Sequence, residues 1–138
     1  MLIRGTCGCG KVTFSASGEP RFQVYCHCRS CQIAHAAPMV AAAIFAAEQV
    51  EYRGELVQIT VTRRPDATPR LICASCGTKV INVPHASVRT VLPSLCEDGS
   101  WFRPTMHMHW QERVIDVADA LPKYLDFPAE FGGSGKLA

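Results

Sequence analysis

The chain carries no run of like charge, no apolar stretch long enough to span a bilayer and almost no helical periodicity. Lysine plus arginine number 14 against 12 acidic residues, a formal net charge of +2. Without a basic patch interleaved with aromatic residues, a nucleic-acid partner is not indicated. The longest apolar run, residues 38–47, is about half of the roughly 20 residues that a membrane-spanning helix requires. The start, Met1-Leu2-Ile3-Arg4-Gly5-Thr6, shows no basic head followed by the apolar core of a secretory signal. Neither an internal repeat nor a second domain stands out. These absences leave one small domain, residues 1–131, meeting small molecules rather than membranes or nucleic acid. Residues 132–138 read as a flexible tail. The stretch Gly132-Gly133-Ser134-Gly135-Lys136 invites comparison with a phosphate loop, but Leu137 follows the lysine where Ser or Thr is needed, and no helix remains to start there.

What the chain does have is sulfur. Of its 8 cysteines, three fall in the stretch Cys26-His27-Cys28-Arg29-Ser30-Cys31. Four more form two short pairs, Cys7-Gly8-Cys9 and Cys73-Ala74-Ser75-Cys76. Two close pairs separated by a long insert are the pattern of a closed four-cysteine zinc site, so Cys7, Cys9, Cys73 and Cys76 read as structural ligands. The remaining trio, Cys26, Cys28 and Cys31, leaves one tetrahedral corner open, as catalytic zinc sites do for water or substrate. A second reading makes both sites structural, the trio being closed by His27, His35 or Cys96. Disulfides fit poorly, because Cys-x-Cys neighbours pair badly and the number in the clusters is odd. Many reduced thiols with no export signal point to the cytoplasm.

The rest of the chain reads as all-β with little helix. Short strands are expected at 2–4, 12–15, 21–25, 39–45, 50–53, 56–62, 70–73, 79–83, 88–92, 105–110 and 114–117. Gly54-Glu55 suits a hairpin turn, 63–69 a surface loop around Pro65 and Asp66, and 29–35 one short helical segment. A strand points residues i and i+2 to one face, so Cys26 and Cys28 can share a metal while His27 turns away to a supporting hydrogen bond. His85 and His109 carry no assigned role; Asp98 reads as a solvated loop carboxylate and Cys96 as a buried thiol.

At this point the chain resembles a known family, the glutathione-dependent formaldehyde-activating enzymes and their relatives grouped with centromere protein V. The matching pieces are Gly5-Thr6-Cys7-Gly8-Cys9-Gly10-Lys11-Val12-Thr13-Phe14, Gly18-Glu19-Pro20, the Cys26 to Cys31 cluster, and Cys73-Ala74-Ser75-Cys76-Gly77-Thr78. Pro104-Thr105-Met106-His107-Met108, Asp119-Ala120-Leu121-Pro122 and Phe127-Pro128 resemble later stretches of the family. The resemblance implies a β-tent fold of antiparallel sheets with a zinc knuckle. It also implies a structural zinc on the quartet, a catalytic and labile zinc on the trio, and a carbon-sulfur lyase-type addition of glutathione to formaldehyde, giving S-hydroxymethylglutathione. One departure is Ala36, where relatives commonly carry glycine.

A three-thiolate zinc is electron-rich, a poor activator of water and better suited to holding an incoming thiol as thiolate. The expected partners are therefore a small-molecule thiol, glutathione or similar, and a small aldehyde. Cys28 is a candidate catalytic ligand and His107 the first-choice donor to the developing oxyanion, ahead of His27 and Arg29. Structural zinc contributes on the order of 10 kcal/mol, comparable to the whole folding free energy of a domain. Stripping the metal with a chelator is thus expected to loosen or unfold the chain. Circular dichroism melting, run with metal analysis on the same sample, checks this; an unchanged melt after zinc loss refutes it.

Overall fold

The structure is a computed structural model that describes residues 1–64 and 68–138. Pro65 and Asp66, on which the surface loop at 63–69 was expected, lie outside the described residues. The strands are β1 (Leu2–Thr6), β2 (Thr13–Ser17), β3 (Phe22–Cys26), β4 (Val40–Ala46), β5 (Val50–Arg53), β6 (Leu56–Ile59), β7 (Arg70–Cys73), β8 (Lys79–Asn82), β9 (Val88–Val91) and β10 (Met106–Met108). Among the described residues there is one α-helix, α1 (Arg29–His35). The chain is all-β as expected.

Two sheets form. A small one has the order β1-β2-β5, and a large one runs β10-β3-β4-β9-β8-β7-β6. The inward residues of the small sheet, Ile3, Phe14 and Ala16, pack against Phe45, Ile81 and Val91 of the large one. β4 explains itself: an alanine-rich strand paired on both edges and buried along most of its length needs small side chains where sheets and helix crowd it. Among the described residues the strands pair antiparallel except β10 with β3, which is parallel with Met108 opposite Cys26.

Three expectations change. Gly54-Glu55 is not a hairpin turn, because β5 pairs with β2 while β6 pairs with β7. Gly54 is where the chain crosses between sheets, at a φ of +114°, and a Cβ there would meet the Lys11 carbonyl oxygen at 2.5 Å. The strand expected at 56–62 stops at Ile59, and its alternation marks an outer edge strand, with Val57 45% exposed, rather than a buried face. Residues 114–117 form no strand; Val114 and Ile115 are exposed. Near the end of the chain, Leu125 N–H donates to the Lys136 carbonyl at 2.8 Å and Ser134 Oγ to Asp126 Oδ1 at 2.6 Å.

Helix α1 starts at Cys28, whose sulfur accepts from Cys31 N–H at 3.4 Å in the place of a capping oxygen. It ends at Ala36, held in the left-handed region at φ 49°, ψ 46°, with its N–H on the Gln32 carbonyl. Glycine is preferred at this position because it has no Cβ to strain against the backbone. Ala36 is exposed and stands outside the cavity beside the trio. Ala36→Gly is expected to stabilise the fold by about 1 kcal/mol, read as a higher midpoint in urea with an unchanged slope.

Candidate metal centre and its cavity

The quartet sits at the junction of the two sheets. Cys7 and Cys9 follow β1, Cys73 ends β7, and Cys76 lies on the turn leading to β8. Zinc–sulfur bonds of about 2.3 Å require sulfurs about 3.8 Å apart in a tetrahedron. Cys7 and Cys9 stand 3.6 Å apart and Cys9 and Cys73 3.8 Å. Backbone amides already face the sulfurs: Val12 N–H donates to Cys7 at 3.3 Å and Cys76 N–H to Cys73 at 3.5 Å. The Thr78 hydroxyl, 3.1 Å from Cys76 Sγ, pulls that thiol down to about 5. The donor set and spacing fit zinc.

The trio forms at the end of β3 and the first turn of α1. All three sulfurs lie within 4.8 Å of one another, and no further His, Cys, Asp or Glu among the described residues joins them. Neighbouring Cys26 and Cys31 hold the Cys28 thiol far below its usual range, while Cys26 is pushed well up, chiefly by its contact with Cys28. Three crowded thiols in which one ionises at the expense of another are ligands that a cation would relieve. Cys96 stands outside the cluster; its sulfur faces the Leu92 carbonyl at 3.7 Å, and burial pushes it up to about 11.

Beside the trio opens a cavity of about 190 Å³, lined by the three cysteines together with Arg70, Asn82 and His109. Arg70 is 1% exposed, and its Nη2 donates to Cys31 Sγ at 3.3 Å. His109 sits at φ 55°, ψ 38°, just past the end of β10. Glu112 Oε2 lies 3.3 Å from His109 Nδ1, which favours a proton there and leaves Nε2 as the working nitrogen. Glu112 Oε1 in turn accepts from Arg29 N–H at 3.2 Å and Arg64 Nη2 at 3.0 Å, fixing the carboxylate against α1.

His107 does not line this cavity. It pairs in register with Tyr25, on the face of the sheet opposite to Cys26 and Met108. Its ring is fully buried, with Nδ1 2.8 Å from His27 Nε2 and Nε2 2.8 Å from Asp119 Oδ2. His107, the donor expected from the sequence, is therefore not among the residues that the structure brings to the trio or its cavity. His27, also fully buried, turns away from the sulfurs as the strand period requires. His109 and Glu112 carried no sequence signal: His107 and His109 share the same strand parity, and only the backbone turn at His109 separates them. His85 bonds Ser87 in an exposed turn at 2.8 Å, and Asp98 caps Ser100 N–H at 2.8 Å.

The fold and site thus define an all-β protein with one closed and one open thiolate cluster. Residues 2–112 match the model of a family described as glutathione-dependent formaldehyde-activating enzyme, and the chain belongs to that family. A solved structure of a Rhodobacter sphaeroides protein, a structural genomics target, shares the fold, with a TM-score of 0.53 and 20% identity over 68% of this chain and 87% of that one. No curated protein gives a significant match.

Burial holds His35, in the last turn of α1, down to about 4, and its Nε2 is buried without a partner among the described residues. An unfolded histidine titrates near 6.5, so between those values the unfolded chain binds more protons than the folded one. The neutral ring's contribution is complete above about pH 6.5 and is lost as pH falls toward 4. His35→Gln should therefore melt with a flatter pH dependence from 6.5 to 5 than the parent chain. Parallel slopes would refute this assignment.

Proposed function

We propose that the protein adds a small-molecule thiol to a small aldehyde, a carbon-sulfur lyase-type reaction with glutathione and formaldehyde as the first pair to test. The observation that carries this reading is a three-thiol cluster with no fourth ligand among the described residues, opening onto a mainly apolar cavity into which Arg70, Asn82 and His109 bring the polar groups. Family membership supports it. Zinc held by Cys26, Cys28 and Cys31 would supply an open Lewis-acid position at which an incoming thiol loses its proton yet stays nucleophilic. The quartet would hold a second zinc whose work is structural.

The chain's own groups do the rest. A cavity of about 190 Å³ is below the roughly 300 Å³ at which drug-sized ligands begin. It admits an aldehyde and the thiol-bearing end of its partner, and keeps the bulk of a tripeptide outside. His109, braced by Glu112, takes the proton the thiol sheds and returns it to the oxygen of the adduct. His27, His107 and Asp119, on the far face, hold the strand that carries Cys26 in place.

Zinc-loaded protein is expected to speed exchange between free and thiol-bound aldehyde, followed by exchange NMR across a panel of thiols and aldehydes. Cys28→Ser, which keeps an oxygen to cap α1, should remain folded and lose this turnover. His109→Gln should keep its zinc and fall by about 10²-fold. If no pair is accelerated and cobalt placed in the trio shows no spectral response to thiols, the clusters are architectural.

A further inference from the structure

Arg70 is a buried cation without a carboxylate partner among the described residues. Its Nη1 donates to the Thr68 carbonyl at 2.9 Å and its Nη2 to Cys31 Sγ at 3.3 Å, while Nε is buried with no partner among the described residues. The Nε and Nη2 hydrogens leave the same edge of the guanidinium, so the unused donor shares the edge that faces the thiolates. Directly across the ladder from Arg70 stands Asn82, 4% exposed, whose Oδ1 is also buried without a partner among the described residues. Both residues line the cavity beside the trio. An orphaned donor and an orphaned acceptor on adjacent strands, each costly to leave unmet, point to a ligand that satisfies both.

We infer that Arg70 and Asn82 are the oxyanion site for the aldehyde, an inference that rests on the thiol-addition reading above. As the thiol sulfur bonds to the carbonyl carbon, the π pair of the C=O moves onto oxygen, and Arg70 Nε–H donates to that alkoxide. The oxygen then takes the proton the thiol released, carried by His109, and the resulting hydroxyl donates to Asn82 Oδ1. Atoms and charge balance with no oxidant or reductant: thiol plus aldehyde gives one hydroxyalkyl thioether. Charge also favours the arrangement. Three thiolates and a divalent zinc sum to −1, and Arg70 brings the unoccupied site to zero, so an anion forming there is not repelled. The same Nη2–H on Cys31 blunts that sulfur as a competing nucleophile.

The test uses zinc-loaded protein in two arms. Turnover of Arg70→Lys, which keeps the charge but loses the Nε–H and the fixed fork, should fall by about 10²–10³-fold while zinc content and the KM for thiol hold. Asn82→Ala should fall less, through slower proton return. In the second arm formate, an anion of the aldehyde's size, is titrated while the Arg70 Nε–H signal is followed by NMR, its assignment made from its loss in Arg70→Lys. A saturable shift, weakened in Asn82→Ala, is expected. Turnover of Arg70→Lys within threefold of the parent, or a signal that formate leaves unmoved, overturns the inference. Should Arg70→Lys fail to fold, the Asn82→Ala rates and the formate shift decide. If the parent turns over no thiol–aldehyde pair yet formate still shifts the signal, the anion site stands and the addition reaction falls.

Discussion

The structure depends on forcing sulfurs that carry or can carry like charge to converge on a point. Two unit charges 4 Å apart repel by about 4 kcal/mol at an effective dielectric constant of 20, and the quartet brings every pair of its members to about that separation. A divalent cation held there would turn this repulsion into attraction. Because Cys7 and Cys9 follow a strand of one sheet while Cys73 and Cys76 stand at the end of a strand of the other and on the turn beyond it, an ion held by all four would tie the two sheets together where they meet. Cys7 and Cys73 are at the same time members of the main apolar core, so metal binding and core packing reinforce each other.

The trio uses the same constraint differently. Its sulfurs come from one strand end and one helical turn, so they converge without tying distant segments together. What ties them down is a second layer. Gln32 Nε2 donates both to the His27 carbonyl at 2.6 Å and to the Glu112 carbonyl at 2.9 Å, joining the cluster to the turn after β10. On the far face, Lys123 and His107 hold the Asp119 carboxyl well below the usual carboxylate range, and the His107–His27 contact continues that chain under the cysteine loop. The sheet therefore separates two tasks: one face presents sulfur, Arg70 and His109 to the cavity, and the other braces the strand.

Strand parity was legible in the sequence wherever a strand runs straight. It turned His27 away from the sulfurs and kept Cys26 pointed at the cavity. It failed at 56–62, where the alternation of Val57 and Ile59 marks an edge, because alternation reports a two-faced strand without saying whether anything covers either face. It also failed at Gly54, since a glycine that reverses direction within one sheet and a glycine that crosses between two look the same locally.

The sequence by itself determined the metal chemistry: ligand type and spacing within a few residues are local, and three thiols on one turn converge whatever surrounds them. The tertiary structure alone decided which other groups reach the cluster. His109 rather than His107 meets the cavity, and Arg70 and Asn82 come into register across it, because these placements depend on pairing between segments up to 80 residues apart and on one backbone turn at φ 55°. Such pairings are set by how sheets pack against each other, and no short stretch of residues encodes that.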